Sequence, residues 1–98
     1  MIHELKIEDD YALKVVTNEK TFEIRFNDRD YKKGDYIRFL PVGEKFRNIV
    51  AAEIKDKIYK ITYVLTHEDF PKGIKEDYAV IAIKEATLQE IRNETAQQ

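Results

Sequence analysis

The chain has 98 residues, of which 37% are charged, and this length allows one hydrophobic core but not two. The absence of cysteine excludes disulfides and thiolate metal sites, and the net charge of −2 excludes a protein that binds nucleic acid through bulk positive charge. No apolar run could span a membrane, and the first residues lack a signal-peptide pattern. We therefore expect one domain over residues 1–98, located in the cytoplasm, monomeric and without membrane contact.

The start of the chain predicts a strand followed by a helix. Residues 2–7 alternate apolar and polar side chains, so we expect a strand with Leu5 and Ile7 facing the core. Apolar residues recur at helical spacing from Tyr11 to Val16, which predicts a helix with one apolar face after an aspartate cap at position 9 or 10. Asn18 follows, and asparagine tolerates the left-handed backbone conformation that ends helices.

The clearest period-two pattern lies between residues 21 and 27. Phe22, Ile24 and Phe26 alternate with polar residues, which predicts a strand with these three side chains in the core. The opposite face carries the polar residues of the segment, which are Thr21, Glu23, Arg25 and Asn27.

The middle of the chain predicts two turns and another strand. Turn-forming residues at 27–30 and 33–35 precede a strand from Tyr36 to Leu40. Within the segment from Glu44 to Asp56, residues 49–52 fit either a short helix or an irregular strand, and the pattern does not choose between them.

The last third predicts two more strands and a helix. A long strand covers Lys57 to Thr66, and strict alternation places the odd-numbered residues from Tyr59 to Leu65 on one face. A loop over residues 69–77 leads to a strand from Tyr78 to Lys84. Thr87 to Glu90 matches a capping box, so residues 86–98 should form a short helix with a frayed end from Thr95 onward.

This order of elements defines the predicted fold class, which is α+β and mainly β. Several short strands separated by turn signals favour a small closed or nearly closed β-barrel, since closure removes exposed sheet edges. A helix follows the first strand and a short helix ends the chain.

The charged segment from Lys20 to Asp30 holds the candidate site. On a strand, Glu23 and Arg25 share one face at a separation of about 7 Å. If that face lines a cleft, the Arg25 guanidinium suits phosphate or carboxylate, and Glu23 could brace it, orient a ligand or accept a proton. If the face is ordinary surface, the mixed charges need no function. Asn27 could read a base edge or cap a turn.

The string from Asn18 to Arg25 (N-E-K-T-F-E-I-R) resembles the G-x-K-T-x-E-x-R signature of ASCH domains, which belong to the PUA-like superfamily. The resemblance extends from His3 to Lys84. Within the ASCH domains, the sequence is similar to a branch of unknown function found in Gram-positive bacteria and phages. It departs from the pattern at Asn18, where glycine is usual, and over residues 42–56. The resemblance implies a PUA-like β-barrel with a cleft beside the first helix, and RNA as the partner.

The first functional hypothesis is therefore an RNA- or nucleotide-binding module. The cationic residues Lys20, Arg25 and Arg29 would contact phosphates. Glu23 and Asn27 would orient a base or brace the arginines.

The second hypothesis is a hydrolase acting on a modified nucleoside or on RNA, with Lys20 and Glu23 as its catalytic residues. A similar ASCH group removes an acyl group from a modified cytidine with a lysine, a threonine and a glutamate. Glu23 stands where that group has the threonine, and the chain contains no serine or cysteine, so Thr21 is the nearby hydroxyl. Whether the protein is an enzyme stays open, and a protein-interaction module is the third hypothesis.

No metal and no cofactor are predicted. Asp28, Asp30 and Asp35 could join Glu23 as oxygen ligands, but aspartates in turns normally accept hydrogen bonds from their own backbone. His3 shares a strand face with Leu5 and Ile7 and is expected to be a hydrogen-bonded residue of the interior or of the cleft edge rather than a catalytic one.

Overall fold

The computed structural model describes residues 1–42 and 49–96, which form a mixed α+β domain built on one five-stranded sheet. In chain order the elements are strand β1 (Ile2–Ile7), helix α1 (Asp9–Val16), strands β2 (Phe22–Phe26) and β3 (Tyr36–Pro41), helix α2 (Ile49–Ala52) continuing into a 3₁₀ helix (Glu53–Asp56), strands β4 (Tyr59–Thr66) and β5 (Tyr78–Glu85), and helix α3 (Leu88–Ala96). Residues 49–52 are therefore helical, while the rest of the ambiguous segment up to residue 48 lies outside the described residues. None of the described helices combines the length and hydropathy needed to traverse a bilayer.

The sheet is a half-barrel with strand order β1-β3-β4-β5-β2. β1 pairs with β3 in parallel, and the other three pairs are antiparallel. β1 and β2 are the two edges, and no backbone pairing joins them in the described part of the chain. The barrel is thus open between these strands, where the sequence predicted a closed or nearly closed one.

The hydrophobic core lies on the concave side of the half-barrel. Phe39, Ile61 and Ile81 of the three central strands are completely buried, and Leu5 and Ile7 of β1 face the same core, as predicted. The first two helices and the 3₁₀ helix cover this side with a small set of buried residues, which are Ala12, Val15, Ala51 and Ile54.

β2 alternates as predicted, but its orientation is the reverse of the prediction. Phe22, Ile24 and Phe26 are 44%, 60% and 53% exposed, so the expectation that they fill the core is wrong. Glu23 is only 4% exposed, and it lies opposite the buried Ile81 of β5. Because residues directly opposite each other in a sheet share a face, the polar residues of β2 look into the half-barrel and the apolar ones look out.

β4 changes face partway along its length. The pairing between β4 and β5 shifts register between Ile61 and Tyr63, which marks a β-bulge. Tyr59 and Ile61 are buried before the bulge, whereas Tyr63 is 58% exposed after it. The predicted strict alternation from Tyr59 to Leu65 is therefore wrong beyond Ile61. The extra residue of the bulge moves the odd-numbered side chains after it from the inner to the outer face of the sheet.

The helix ends follow local chemistry. The cap of α1 is Glu8, and not Asp9 or Asp10 as predicted. Asp9 and Asp10 lie in the first turn of the helix, where their negative charges interact favourably with the helix dipole. Tyr11 is exposed, which contradicts its assignment to the apolar face. Asn18 has a φ of 62°, the left-handed conformation predicted for it.

The predicted capping box at the start of α3 is confirmed. The Glu90 backbone N–H donates to Thr87 Oγ1 at 3.1 Å, and the Thr87 backbone N–H donates to Glu90 Oε1 at 3.3 Å. This hydrogen bond is the main reason that the pKa of Glu90 is lowered, and a hydrogen bond from Lys60 adds to it. The helix continues through Ala96, so its end lies later than the predicted start of the frayed tail at Thr95, and residues 97–98 lie outside the described residues.

Candidate functional site

A charged cluster built around one buried carboxylate lies at the inner face of β2. The Glu23 carboxylate accepts hydrogen bonds from both sides: Lys20 Nζ donates to Oε1, and Arg25 Nε donates to Oε2 at 2.9 Å. Arg25 Nη2 also lies 2.8 Å from the same Oε2 atom. Each oxygen of the buried carboxylate therefore has a cationic partner, which is the condition under which a carboxylate is found in a protein interior.

The turn after α1 positions Lys20. Asn18 reverses the chain in its left-handed conformation, and the backbone N–H groups of Glu19 and Lys20 both donate to the carbonyl of Lys14 at 2.9 Å. The Lys20 ammonium then lies 5.3 Å from the ring centroid of Tyr11 and 5.4 Å from that of Phe22. Two aromatic rings and the Glu23 carboxylate thus hold one ammonium group, and both kinds of contact are favourable for a cation.

A cavity of about 700 Å³ opens beside this cluster, between the end of β1, helix α1 and strand β2. Within residues 1–42 and 49–96, its charged lining residues are four basic and three acidic side chains, namely Lys6, Lys14, Lys20, Arg25, Glu8, Glu19 and Glu23. Its apolar lining residues are Ile7, Tyr11, Phe22 and Ile24. The cavity therefore offers a slight excess of positive charge together with two aromatic rings.

Two arginine side chains span the open edge of the half-barrel next to the cavity. Arg25 Nη2 donates to the backbone carbonyl of Lys6 at 2.8 Å, and Arg29 Nη1 donates to that of Glu4 at 2.6 Å. Glu4 and Lys6 are alternate residues of β1, and alternate residues direct their backbone groups to the same edge of a strand. The arginines therefore satisfy carbonyls that a neighbouring strand would bond in a closed barrel.

The predicted site residues are thus only partly brought together. Lys20, Glu23 and Arg25 line the cavity, whereas Asn27 and Arg29 do not. Asn27 is half-buried at the end of β2, with its backbone N–H donating to the carbonyl of Asp77 at 2.7 Å. Arg29 is exposed apart from its hydrogen bond to β1.

Sequence reasoning missed several cavity residues. Lys6 and Lys14 were not candidates, and Tyr11 was assigned to the core although it lines the cavity. Lys14 could have been identified as a cavity residue because it lies in the last turn of α1, directly before the turn that positions Lys20. No pattern in the sequence identifies Lys6, because its role depends on how β1 lies relative to β2.

Among the described residues, the cavity lining supplies no aliphatic hydroxyl. Thr21 is exposed and its carbonyl accepts the backbone N–H of Ile83, so it belongs to the sheet and not to the cavity wall. Among residues 1–42 and 49–96, no group of three histidine or acidic side chains is arranged to hold a metal ion. Asp35, one of the aspartates weighed as a ligand, instead bonds His3.

A second polar cluster lies around His3, a buried residue on the inner face of β1. His3 is buried, its Nε2 atom lies 2.8 Å from Asp35 Oδ2, and its ring packs edge-on against Tyr31 at 4.9 Å. Burial raises the pKa of the Tyr31 phenol, and the nearby Arg29 guanidinium partly offsets this rise. His3 is therefore a hydrogen-bonded interior residue, as predicted, and lies outside the cavity lining.

The fold and the site define a small α+β domain with a half-barrel sheet and a charged cavity at its open edge. The chain matches a family model described as a domain of unknown function (DUF3850) over residues 2–83, and it belongs to that family. The crystal structure of a hypothetical protein, PH0355, is similar in fold, with a TM-score of 0.55 and 16% sequence identity over 88% of this chain and 100% of that chain. No curated protein sequence matches the chain.

Proposed function

We propose that the cavity binds a nucleotide, either free or as one unit of an RNA strand. The observation that carries the proposal is the cavity of about 700 Å³ with the Lys20 ammonium held at its wall between two aromatic rings and the Glu23 carboxylate. Pockets for small ligands usually have volumes of about 300–1,000 Å³, apolar walls and a few convergent polar groups. This cavity lies within that volume range, its described lining includes four apolar residues, and Lys20, Glu23 and Arg25 supply polar groups.

The charges of the cavity suit an anion. An ammonium group has three donors, and one Lys20 donor is used by Glu23, which leaves donors for a phosphate. Lys6 and Lys14 add exposed positive charge at the rim. A phosphate bound by these three lysines would lie close to the rings of Tyr11 and Phe22, and a nucleobase can stack on such rings.

The proposal assigns different tasks to Glu23 and Arg25, the other two residues of the charged cluster. Glu23 holds the Lys20 ammonium in place, and Arg25 holds Glu23 while bonding β1. Asn27 and Arg29 lie outside the cavity wall, so they would contact only the part of an RNA strand that extends beyond the cavity.

We also propose that the domain is a branch of the ASCH domains within the PUA-like superfamily. The string from Asn18 to Arg25, the helix after the first strand and the mainly β half-barrel support this assignment. The proposal includes the cytoplasm as the location and a monomer as the working form.

A hydrolase is the second candidate, favoured by the hydrogen bond between Lys20 and a buried carboxylate. Since the part of the lining that the structure describes holds no threonine, Glu23 would have to activate water in place of a hydroxyl nucleophile. Formation of free cytidine from an acylated cytidine, lost in Lys20→Ala, would establish this reaction. Absence of product with nucleotide binding intact would restrict the domain to binding.

The binding proposal is tested by titrating AMP and CMP into the protein while backbone amide shifts and heats of binding are followed. We expect shifts in α1, β2 and the end of β1, and a weaker affinity at higher salt. Lys20→Ala should weaken binding by roughly 10-fold, because it removes a charge-assisted hydrogen bond. Lys72→Ala is the matched control, since this exposed lysine lies outside the cavity.

Glu23→Gln separates two roles of the carboxylate. If Glu23 only holds Lys20, removing its charge makes the cavity more positive and should preserve or strengthen phosphate binding. If it reads the base or accepts a proton, the same variant should weaken binding or abolish product. Failure of both nucleotides to shift any cavity residue at low salt would overturn the proposed function.

A further inference from the structure

The outer face of the sheet carries a slot between two exposed aromatic side chains. Phe22 of β2 lies opposite Ala82 of β5, and Ala82 lies opposite Tyr63 of β4. Residues directly opposite each other share a face, so the three side chains form one row across three strands. Phe22 and Tyr63 are both exposed, and the residue between them is the small, partly exposed Ala82.

The width of this slot suits a planar ring. Neighbouring strands lie about 4.8 Å apart, so the backbones that carry the two aromatic residues lie about 9.6 Å apart, which is two strand spacings. A ring inserted midway would lie about 4.8 Å from each, which is within the range of favourable aromatic pairs. The β-bulge is what creates the slot, because it turns Tyr63 from the core to the outer face.

The slot is continuous with the cavity through Phe22. This residue lines the cavity and also forms one wall of the slot, and the Lys20 ammonium lies 5.4 Å from its ring centroid. A ligand that leaves the cavity past Lys20 therefore meets an aromatic slot next to a cation. Alternation of a planar ring and an anionic linker is the chemistry of a single-stranded nucleic acid.

We propose that the slot formed by Phe22, Ala82 and Tyr63 binds a second nucleobase, adjacent in a single RNA strand to the nucleotide held in the cavity. The inference rests on the proposed function and names its ligand class as single-stranded RNA rather than a free nucleotide. A phosphate between the two bases would lie near Lys20, which then serves both subsites.

A neighbouring pair of aromatic residues provides an internal contrast. Phe26 and Tyr78 also lie opposite each other on the outer face, but their rings contact edge-on at 5.7 Å. No small residue separates them, so they form no slot. Phe26→Ala is therefore a matched control for removal of an exposed aromatic residue from the same strand face.

The experiment compares the binding of AMP with the binding of an RNA of five adenylate nucleotides to the full chain. Binding is measured by calorimetry and by backbone amide shifts. Tyr63→Ala should weaken binding of the RNA roughly 10-fold, since base stacking on an aromatic side chain is removed, and should leave AMP binding unchanged. Ala82→Val should do the same by filling the slot. Tyr63→Phe keeps the ring and should match the original protein, and Phe26→Ala should change RNA affinity less than about twofold.

The outcomes separate the inference from the proposed function. If AMP binds the cavity but Tyr63→Ala and Ala82→Val bind the RNA as tightly as the original protein, base binding in the slot is overturned. Nucleotide binding in the cavity is then still supported. If neither AMP nor the RNA binds, both proposals fail. If sedimentation shows a dimer that Tyr63→Ala dissociates without an effect on RNA, the face belongs to a second copy of the chain and the inference is overturned.

Discussion

β2 and β5 lie side by side in the sheet, and both alternate with a period of two, but in opposite senses. β5 directs Ala79, Ile81 and Ile83 into the core, as an ordinary half-buried strand does. β2 directs Glu23 and Arg25 to the same concave side and exposes its apolar residues. The two strands show that alternation identifies two faces of a strand but does not tell which of them meets the core.

The difference follows from position in the sheet. β5 is an interior strand with a hydrogen-bonded strand on each side, and its inner residues belong to the hydrophobic core. β2 is an edge strand at the open side of the half-barrel, where the interior is a cavity. A polar inner face is stable there because Lys20 and Arg25 bond the Glu23 carboxylate, and it gives the cavity its charges.

The strongest test of this comparison is the paired truncation of one isoleucine on each strand. Ile81→Ala should lower the free energy of unfolding by about 2–5 kcal/mol, because it leaves a void in the core. Ile24→Ala should change it by less than about 0.5 kcal/mol, because Ile24 is exposed. Urea denaturation measures both values, and equal losses would mean that Ile24 is buried in solution.

The inner face of β4 can be tested through pH. Burial is the main reason that the pKa of Tyr59 is raised from 10 to about 12, with the Glu85 charge adding to it. The folded state therefore retains a proton that the unfolded chain releases near pH 10. The stability from this group is complete below pH 10 and is lost as the pH rises to 12, by at most about 2.7 kcal/mol for two pKa units.

Tyr59→Phe is the control for that pH dependence. The original protein should lose about 1 kcal/mol more than the variant between pH 10 and 11, measured by urea denaturation at both values. Parallel losses in the two proteins would show that Tyr59 titrates normally and that the inner face of β4 is hydrated.

The smallest expected effect concerns the open edge itself. Arg25→Lys keeps the charge but removes the fork that bonds both Glu23 and the Lys6 carbonyl, and should cost about 0.5–1.5 kcal/mol. Arg38→Lys on β3 is the control, as an exposed arginine outside the cavity. Faster amide hydrogen exchange in β1 of Arg25→Lys alone would locate the effect at the edge, and identical behaviour of the two variants would contradict the bridging role.

Local patterns predicted much of the fold. The strand over residues 2–7, the left-handed Asn18 and the capping box from Thr87 to Glu90 depend on neighbours in sequence, and all three are present. The inward His3 was also predicted, because its strand has one clearly apolar face. These features need no knowledge of which strands pair.

The remaining features depend on contacts between distant segments. The burial of Glu23 contradicts the usual exposure of carboxylates and becomes favourable only when Lys20 and Arg25 are both in reach. The bulge after Ile61 depends on pairing with β5, and no local residue type marks it. The candidate residues Lys20, Glu23 and Arg25 share a cavity, and their part in binding stays a prediction.

The parallel pairing of β1 with β3 has a consequence for the order in which the molecule assembles. Ile2 pairs with Tyr36 across a long intervening segment, whereas β4 and β5 are joined by one loop and pair antiparallel. Because closing a longer loop costs more chain entropy before any contact repays it, we expect the β4–β5 hairpin to form early and β1 to dock late. One wall of the cavity is β1, so the ability to bind a ligand should be acquired only at the last step of folding.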